Sequence, residues 1–447
     1  MLPQSFSLEN SYKIKPFNKS IKVDSDKSLS IRSLLFGAIC EGISKTKNIL
    51  ESHDVLDTIK VLRKLGVKIK KDGPKSYLVY GKGLGSLIAK KNLSLNFGNS
   101  GTLARLIIGI LSTTPDIEIK VQGDKSLNKR NMKKLIELMS EFGAQFLPKN
   151  KYNFPLKLIS SEMPVCIDYE AGVSAQLKSA VILAGLNSYG ITNILEKEKS
   201  RDHSENLLLK NLESIKIEKK TNKIIKIFGK KRLNPININI SGDPSSAAFY
   251  TALTLLSKNS YLKIKNVGLN PTRIGFYDLL KKHKAKINFK NIKKRNNEIF
   301  GDIHVKSSKL KPIKASREYY VKATDEYPIL FVIAALVDGK STFKGIEDLA
   351  NKESNRVKEM QKVLKQIGIK TKATKNEINI YGSSSIENSK KRISVPDLGD
   401  HRICMSTFIL STITGVKTKI KNFETVFTSS PSFLSIIKSL GGKFEIK

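Results

Sequence analysis

The feature of this chain that most limits its possible folds is a pattern that recurs six times. In each copy a short polar or glycine-bearing cluster runs directly into small apolar residues, and successive copies are spaced by about 70–80 residues. Between them, in four copies, an apolar helix-like segment ends at glycine and passes into a strand-like segment. The clusters begin near Lys27, Asn99, Ser174, Asp243, Asp325 and Asp400. Such regular self-similarity predicts a fold built from six copies of one supersecondary unit.

The first copy indicates what that unit contains. Its apolar spacing predicts a helix over about 28–42 and an amphipathic helix over about 55–65, which Gly66 should end. Alternating segments at 67–69 and 77–80 read as strands. The first helix is apolar on nearly every side and should be buried, whereas the second has a charged face and should lie outside.

Six units divide naturally into two halves, and 447 residues are enough for two sizeable cores of the α/β class. The fourth cluster begins at Asp243, so the division should fall just before it. The segment ahead of Lys27 reads as a strand without a helix of its own, and we expect it to pair with the carboxy-terminal half. The predicted domains are residues 1–25 plus 242–447, and residues 26–241.

Composition argues against several other classes of protein. The longest clean apolar run, 329–337, is too short to span a bilayer, and the amino terminus has no secretory pattern. The three cysteines are far apart and odd in number, which favours reduced, buried thiols over a disulfide framework. No Cys/His group has zinc spacing. We therefore expect a cytoplasmic protein with no metal, no cofactor and no membrane partner.

The net charge of +39 has two interpretations. It fits either a nucleic-acid-binding protein, or a lysine-rich solvated surface with a smaller basic focus around anionic substrates. The basic runs at Lys230–Arg232, Lys293–Arg295 and Lys390–Arg392 are scattered and lack interleaved aromatic residues. No nucleic-acid recognition motif accompanies them. We expect no nucleic-acid partner, and a salt-titrated binding assay separates the two interpretations.

The cluster starts also carry the residues that suggest chemistry. A helix start presents unpaired N–H groups and the positive end of the helix dipole, so it attracts anions. Lys352, Glu353 and Arg356 are predicted to share one helical turn. Asp325 either caps the helix that follows it or serves as a general base. The cations near equivalent ends of the units are Lys27, Arg32, Arg130, Arg201, Lys352, Arg356 and Arg402. If those ends face one another, they suit substrates with phosphate and carboxylate groups and metal-free acid/base chemistry.

Taken together, the motifs resemble those of the 5-enolpyruvylshikimate-3-phosphate synthase family, in its branch with a Ser-Ala-Gln motif. They are, in order, DKSLSIR, FGNSGTLAR, GDKSLNKR, SAQLKSAVILAGLN, RDHSE, GDPSSAAF, NPTR, DEYPI, NKESNR and DHRICMS. The resemblance implies a two-domain inside-out α/β barrel, in which each domain has three βαβαββ units with buried parallel helices. It implies an active site in the cleft between the domains. The implied reaction transfers the enolpyruvyl group of phosphoenolpyruvate to the 5-hydroxyl of shikimate-3-phosphate and releases phosphate.

The resemblance also implies a role for individual residues. Asp325 would accept the hydroxyl proton, and Glu353, with Lys27, would protonate the methylene carbon of phosphoenolpyruvate. Residues expected to hold shikimate-3-phosphate are Lys27, Ser28, Arg32, Ser174, Ala175, Gln176, Arg201, Asp325 and Lys352. Residues expected to hold phosphoenolpyruvate are Lys27, Gly101, Arg130, Gln176, Arg356 and Arg402. These small anions are the expected partners, no cofactor is implied, and the protein is expected to be a monomer.

Several positions depart from the family pattern, and they leave a catalytically weakened homologue as an alternative. The departures are Asn131, Ala350, Asn351, Asn355, Thr428 and Ser430. Thr428 stands where many members place a lysine, so one phosphate contact is in question. Gly101 is the position whose change to alanine accompanies glyphosate tolerance in parts of the family, so we expect a sensitive enzyme. The related transferase that acts on a UDP-amino sugar usually has a cysteine in the loop matching residues 122–130, and this chain has none there.

Overall fold

Six four-stranded sheets account for the repeated pattern in the part of the chain that the computed structural model describes, residues 5–219, 222–386 and 391–447. The chain divides into two compact units. The N unit comprises Ser25–Ile240 with Arg295–Glu298, and the C unit comprises Met1–Asp24, Ser241–Lys294 and Ile299–Lys447. Lys390, in the third basic run, lies outside the described residues.

The first two strands in the described residues belong to the C unit and are Leu8–Asn10 (β1) and Asn18–Lys22 (β2). The helices of the N unit are Lys27–Ile39 (α1), His53–Lys64 (α2), Gly101–Ser112 (α3), Lys133–Glu141 (α4), Ala175–Leu186 (α5) and His203–Leu208 (α6). Its strands are Glu41–Lys47 (β3), Lys68–Lys71 (β4), Ser76–Lys82 (β5), Ser94–Asn96 (β6), Glu118–Gln122 (β7), Gln145–Leu147 (β8), Leu156–Ile159 (β9), Asp168–Ala171 (β10), Ile191–Glu196 (β11), Ile215–Lys219 (β12), Lys223–Phe228 (β13) and Ile238–Asn239 (β14).

The C unit continues with a second set of elements. Its helices are Pro244–Leu256 (α7), Gly275–Lys282 (α8), Arg317–Ala323 (α9), Tyr327–Ala335 (α10), Arg356–Gln366 (α11), His401–Thr414 (α12) and Phe433–Ser439 (α13). Its strands are Tyr261–Gly268 (β15), Lys286–Arg295 (β16), Glu298–Lys306 (β17), Lys314–Ala315 (β18), Gly339–Lys344 (β19), Lys370–Ala373 (β20), Glu377–Gly382 (β21), Arg392–Val395 (β22), Lys417–Ile420 (β23) and Glu445–Ile446 (β24). Short 3-10 helices occur at Leu127–Lys129, Thr324–Glu326, Glu347–Asn351 and Phe423–Thr428.

All six sheets follow one strand order. In the third, β10 pairs parallel with β11 across the helix α5, and β11 and β12 each pair antiparallel with β13. This βαβαββ arrangement is the repeat that the family resemblance implies. Two sheets take their parallel strand from outside their own repeat, because β14 pairs with β3 and β2 pairs with β15. In the sixth sheet β1 lies between β23 and β24, so the expected pairing of the amino-terminal segment with the carboxy-terminal half is confirmed.

The first helix of each repeat is buried inside its unit. In the N unit, α3 contacts α1 and α5, and α1 reaches α5 through the hydrogen bond from Arg32 to Ser179. In the C unit, α7, α10 and α12 contact one another. Every residue of α12 is buried, although half of its first four residues are His or Arg. The second helices are amphipathic, as predicted, with apolar residues such as Val55 and Ile59 buried in α2. A polar residue at the end of a buried helix therefore lies in the interior of the unit, where it needs a hydrogen-bond or ion-pair partner.

The polar clusters first act as helix caps. The side chains of five residues directly ahead of buried helices accept a hydrogen bond from the first turn, and these residues are Asp26, Ser100, Ser174, Asp243 and Asp400. The helix α10 lacks such a cap and follows the 3-10 helix Thr324–Glu326 instead. Gly66 ends the first amphipathic helix with a φ of +84°, a conformation that favours glycine.

The prediction of three buried thiols is only partly correct. Cys40 and Cys404 are buried, but Cys166 is exposed, because it lies in the segment just ahead of the short strand β10 and not on a buried helix. Among the described residues, no helix is both long and apolar enough to cross a membrane.

Candidate active site

Lys27, the first residue of α1, forms an ion pair inside the N unit. Its Nζ lies 3.0 Å from Oδ2 of Asp54, a carboxylate that is only 7% exposed. Asp54 stands in the first turn of α2, where the helix dipole also favours a negative charge. A residue of the protein itself therefore supplies part of the negative charge that this half-buried lysine requires. Nothing in the sequence indicates this pairing, because the place of Asp54 in its own helix already explains it.

Arg32 lies one turn further along α1 and is almost fully buried. Its Nε donates to Oγ of Ser204 and its Nη2 to Oγ of Ser179, both at 3.0 Å. The two serine oxygens are themselves 2.8 Å apart. Its Nη1 donates to the carbonyl oxygen of Ser28 at 3.3 Å. The predicted residues Ser28 and Arg32 are thus brought together with α5 and α6 through two serines that the sequence reasoning missed.

Two guanidinium groups converge at Gly101, at the start of α3. A Cβ built on this glycine would lie 2.7 Å from Nη1 of Arg105 and 2.8 Å from Nη1 of Arg130. Arg105 donates to the carbonyl oxygen of Gly101 at 3.1 Å, and Arg130 donates to Oδ1 of Asn99 at 2.5 Å. The missing side chain lets both cations approach a helix start, which makes this point of the N unit suited to an anion.

Gln176 connects α5 to this basic point. Its Oε1 accepts from Nη1 of Arg105 at 3.0 Å, and its Nε2 donates to Oγ1 of Thr102 at 3.0 Å. Ser174 caps α5 by accepting from the N–H of Leu177, and Ala175 is the first residue of that helix. Gln176 of the predicted Ser-Ala-Gln motif therefore joins the start of α5 to the start of α3.

Arg201 is half-buried and lies two residues ahead of α6, the helix that carries Ser204. Arg105 lies with Gly101 and Gln176 at the start of α3, although it was not among the predicted ligands. The only sequence signal for it is a cation one turn into a buried helix.

Arg356 is the centre of a buried charge cluster in the C unit. Its side chain is 1% exposed, yet three carboxylates surround it. Its Nε lies 3.0 Å from Oδ2 of Asp400, its Nη2 lies 2.5 Å from Oε2 of Glu353, and its Nη1 lies 3.7 Å from Oδ1 of Asp325. Burial alone would lower the pKa of Arg356, but these carboxylates raise it above its ordinary value. One guanidinium thus gathers the two carboxylates that are predicted to move protons.

Asp400 joins the starts of α11 and α12. Its Oδ1 accepts from the backbone N–H of Arg402 at 2.9 Å, and its Oδ2 accepts from Oγ of Ser354 at 2.9 Å as well as from Arg356. The guanidinium of Arg402 lies over the ring of Phe249, 5.7 Å from its centroid. Its buried Nε makes no hydrogen bond to any described residue. Arg402 therefore has donor capacity that an anionic ligand could use.

The prediction that Lys352, Glu353 and Arg356 share a helical turn is wrong. Lys352 follows the 3-10 helix Glu347–Asn351, and α11 begins only at Arg356. Asn355 caps that helix by accepting from the N–H of Lys358 at 3.1 Å, so the backbone ahead of it is not helical.

The loop conformation determines how these side chains are placed. It turns Glu353 back onto the guanidinium of Arg356 and leaves Lys352 half-buried. Desolvation lowers the pKa of Lys352, with Arg356 adding to this effect and Asp325 opposing it.

Three of the residues that depart from the family pattern, Asn355, Thr428 and Ser430, each form a hydrogen bond with a nearby group. Asn355 supplies the cap that a carboxylate would supply. Oγ1 of Thr428 donates to the carbonyl oxygen of Thr425 at the end of a 3-10 helix, and Oγ of Ser430 donates to Oδ2 of Asp24 at 3.0 Å. No group of three His, Cys, Asp or Glu side chains in the described part of the chain is arranged to hold a metal ion.

A distant solved structure shares the fold. The solved structure of the enolpyruvyl transferase NikO from Streptomyces tendae is 12% identical in sequence, matches with a TM-score of 0.77, and covers 99% of this chain and 99% of its own. This likeness shows that the two proteins share a fold.

Closer relatives define the family. The family model for EPSP synthase (3-phosphoshikimate 1-carboxyvinyltransferase) matches residues 11–437. A 3-phosphoshikimate 1-carboxyvinyltransferase of Zymomonas mobilis is 37% identical over 440 residues, covering 98% of this chain and 97% of its own. An EPSP synthase structure from Acinetobacter baumannii is 32% identical with a TM-score of 0.84, covering 99% of this chain and 100% of its own. The chain belongs to the EPSP synthase family.

This membership confirms the resemblance, the α/β fold class and the activity that the motifs indicate. The enzyme transfers the enolpyruvyl group of phosphoenolpyruvate to the 5-hydroxyl of shikimate-3-phosphate and releases phosphate, a step in the biosynthesis of aromatic amino acids.

Proposed function

We propose that the two groups of residues described above form one active site, with shikimate-3-phosphate held mainly by the N unit. Its ligands in that unit are Lys27, Ser28, Arg32, Ser174, Ala175, Gln176 and Arg201, and Asp325 and Lys352 add to them from the C unit. Phosphoenolpyruvate is held by Lys27, Gly101, Arg130, Gln176, Arg356 and Arg402. The domain division with a substrate cleft between its halves belongs to the same proposal. The observation that supports the catalytic part of the proposal is the gathering of Asp325 and Glu353 around Arg356 within the C unit.

In the proposed reaction, Asp325 accepts the proton of the 5-hydroxyl as that oxygen attacks the second carbon of phosphoenolpyruvate. Glu353, assisted by Lys27, delivers a proton to the methylene carbon, and a tetrahedral intermediate forms. Loss of a proton from the new methyl group and departure of phosphate then restore the double bond. A substrate carboxylate that pairs with Arg356 would release Glu353 from its ion pair and free it for this proton transfer.

Electrostatics explains why so many cations are needed. Both substrates are highly anionic, so their mutual repulsion opposes the approach of the two reacting atoms. Fixed guanidinium and ammonium groups and the starts of buried helices offset that repulsion without needing to reorganise during the reaction. Holding two substrates together also removes part of the entropic barrier.

Phosphate release from phosphoenolpyruvate, measured with and without shikimate-3-phosphate, tests the assignment. We expect release only with both substrates, and we expect Asp325→Asn to lower turnover by orders of magnitude with little effect on the fold. Asp338→Asn is the matched control, because Asp338 is an exposed carboxylate just beyond the other end of α10, where it binds Ser384. A wild-type rate in Asp325→Asn would refute the role of this residue.

We further propose that the enzyme is a cytoplasmic monomer with no nucleic-acid partner. The recognised chemistry is that of small anionic substrates, and the surface lysines take part in scattered exposed ion pairs such as Lys60–Asp57. Sedimentation would test the oligomeric state. Steep, tight binding of DNA or RNA at physiological salt would overturn the last point.

A further inference from the structure

Besides the charge cluster around Arg356, a second buried ionic group lies in the N unit. It is next to the two serines that bind Arg32. Lys178 is 0% exposed, and its Nζ lies 2.7 Å from Oε1 of Glu205 and in direct contact with Oε1 of Glu196. Lys223 approaches the same two carboxylates, with its Nζ 2.9 Å from Oε2 of Glu196 and 3.3 Å from Oε1 of Glu205. Two cations thus balance two anions, and we call these four residues the buried quartet.

The buried quartet fixes four elements against one another. Lys178 lies on α5, Glu196 ends β11, Glu205 lies on α6, and Lys223 begins β13. Glu196 also accepts, through Oε1, from the N–H and from Oγ of Ser200, both at 3.0 Å. The loop between β11 and α6 is therefore anchored at Ser200, directly beside Arg201.

The quartet touches the proposed phosphate site through its neighbours in sequence. Ser179 follows Lys178 on α5, and Ser204 precedes Glu205 on α6, and these are the two serines that hold Arg32. Each charged member of the quartet on these helices is thus one peptide away from a hydrogen-bond partner of Arg32. A shift of α6 relative to α5 would move Arg32, Ser204 and Arg201 together.

Charge balance matters as much as position. Burial alone would raise the pKa of Glu196, but Lys178 and Lys223 bring it below its ordinary value. Without Lys178, one buried carboxylate would lack its counter-ion, with Arg32 as a neighbouring cation. A carboxylate that drew Arg32 towards itself would compete with a substrate phosphate for that guanidinium.

We propose that Lys178 is a positioning residue for shikimate-3-phosphate, which sets the places of Arg32 and Arg201 through the buried quartet. This inference rests on the proposed function, in which those arginines hold that substrate. Lys178 has no direct role in the chemistry, because the two carboxylates occupy its ammonium group. Its removal should therefore weaken one substrate and spare the other.

The test compares three variants in steady-state kinetics and in calorimetric binding of shikimate-3-phosphate. We expect Lys178→Met to raise KM and Kd for shikimate-3-phosphate by about tenfold, with KM for phosphoenolpyruvate changed less than about twofold. The double variant Lys178→Met with Glu205→Gln restores charge balance and should recover most of the affinity. Lys226→Met is the control, because Lys226 lies on β13, as Lys223 does, but pairs with Glu218 of β12 at a partly exposed site. Its KM values should equal those of the wild type.

Each outcome separates the two proposals. An equal rise of both KM values in Lys178→Met, or no rise, would overturn the positioning role while the wild-type activity stands. A wild-type enzyme that fails to bind shikimate-3-phosphate would overturn the proposed function, and the positioning role with it. If Lys178→Met does not fold, Lys223→Met perturbs the same carboxylates from a partly exposed position and should raise the same KM by a smaller factor.

Discussion

Replacing Arg356 by methionine tests the charge cluster of the C unit most directly. The change keeps much of the apolar volume but leaves Asp325, Glu353 and Asp400 without their shared cation. Asp325 and Glu353 are partly exposed and can turn to water, so the main cost falls on Asp400, whose side chain is 0% exposed. Removing one partner of a buried ion pair costs about 3–5 kcal/mol.

Two hydrogen bonds that Asp400 retains bring the expected loss towards the lower end of that range. They come from the N–H of Arg402 and from Oγ of Ser354. We therefore expect Arg356→Met to lower the free energy of unfolding by about 3 kcal/mol. Adding Asp400→Asn should recover part of the loss, because a neutral amide needs no counter-ion.

Hydrogen exchange of the α11 and α12 amides in a urea series is the suitable measurement, because a chain with two units need not unfold in one step. The N-unit amides serve as the internal reference and should not change. The reasoning is refuted if Arg356→Met loses less than about 1 kcal/mol, or if Asp400→Asn makes the loss larger. Activity should fall by orders of magnitude in both variants, since neither keeps the proposed ligand of phosphoenolpyruvate.

Three further predictions follow from single sites. Because the pKa of Lys352 is lowered, its charge is lost at a lower pH than that of an ordinary lysine, so affinity for shikimate-3-phosphate should fall as pH rises through that pKa. The variant Lys352→Arg should retain affinity to higher pH, and superimposable KM–pH profiles of the variant and the wild type would contradict this. A thiol reagent should label Cys166 alone in the native enzyme, because burial raises the pKa of Cys40 to about 12 and also raises the pKa of Cys404. Rapid labelling of a second thiol would show this reasoning to be wrong. Gly101→Ala should displace two flexible guanidinium groups, raise KM for phosphoenolpyruvate and make the enzyme less sensitive to glyphosate. We expect the wild-type enzyme to be sensitive, and a millimolar inhibition constant for glyphosate would refute that expectation.

Local features of the sequence were sufficient for the repeat and its elements. The predicted helix at 55–65 is found at His53–Lys64, and the predicted strands at 67–69 and 77–80 are found at Lys68–Lys71 and Ser76–Lys82. Caps, glycines at positive φ and apolar periodicity act over a few residues, so one sequence suffices to read them. The prediction that Lys352 lies on a helical turn with Arg356 failed for the same reason, because charges at helical spacing also occur in loops. Here the loop ends at Asn355, which caps the helix that follows.

By itself, the sequence determined six repeats, their buried and outer helices and the cations at the helix starts, because each depends on residues that are neighbours along the chain. Only the tertiary structure decided that Asp54 pairs with Lys27, that three carboxylates share Arg356, and that Lys178 is balanced behind Arg32. Except for Glu353 and Arg356, which are only three residues apart, these partners are separated by many residues, and each carboxylate has a local explanation where it stands. Charge pairing in a buried site depends on distance in space and on desolvation, and both are set only when the helices pack together.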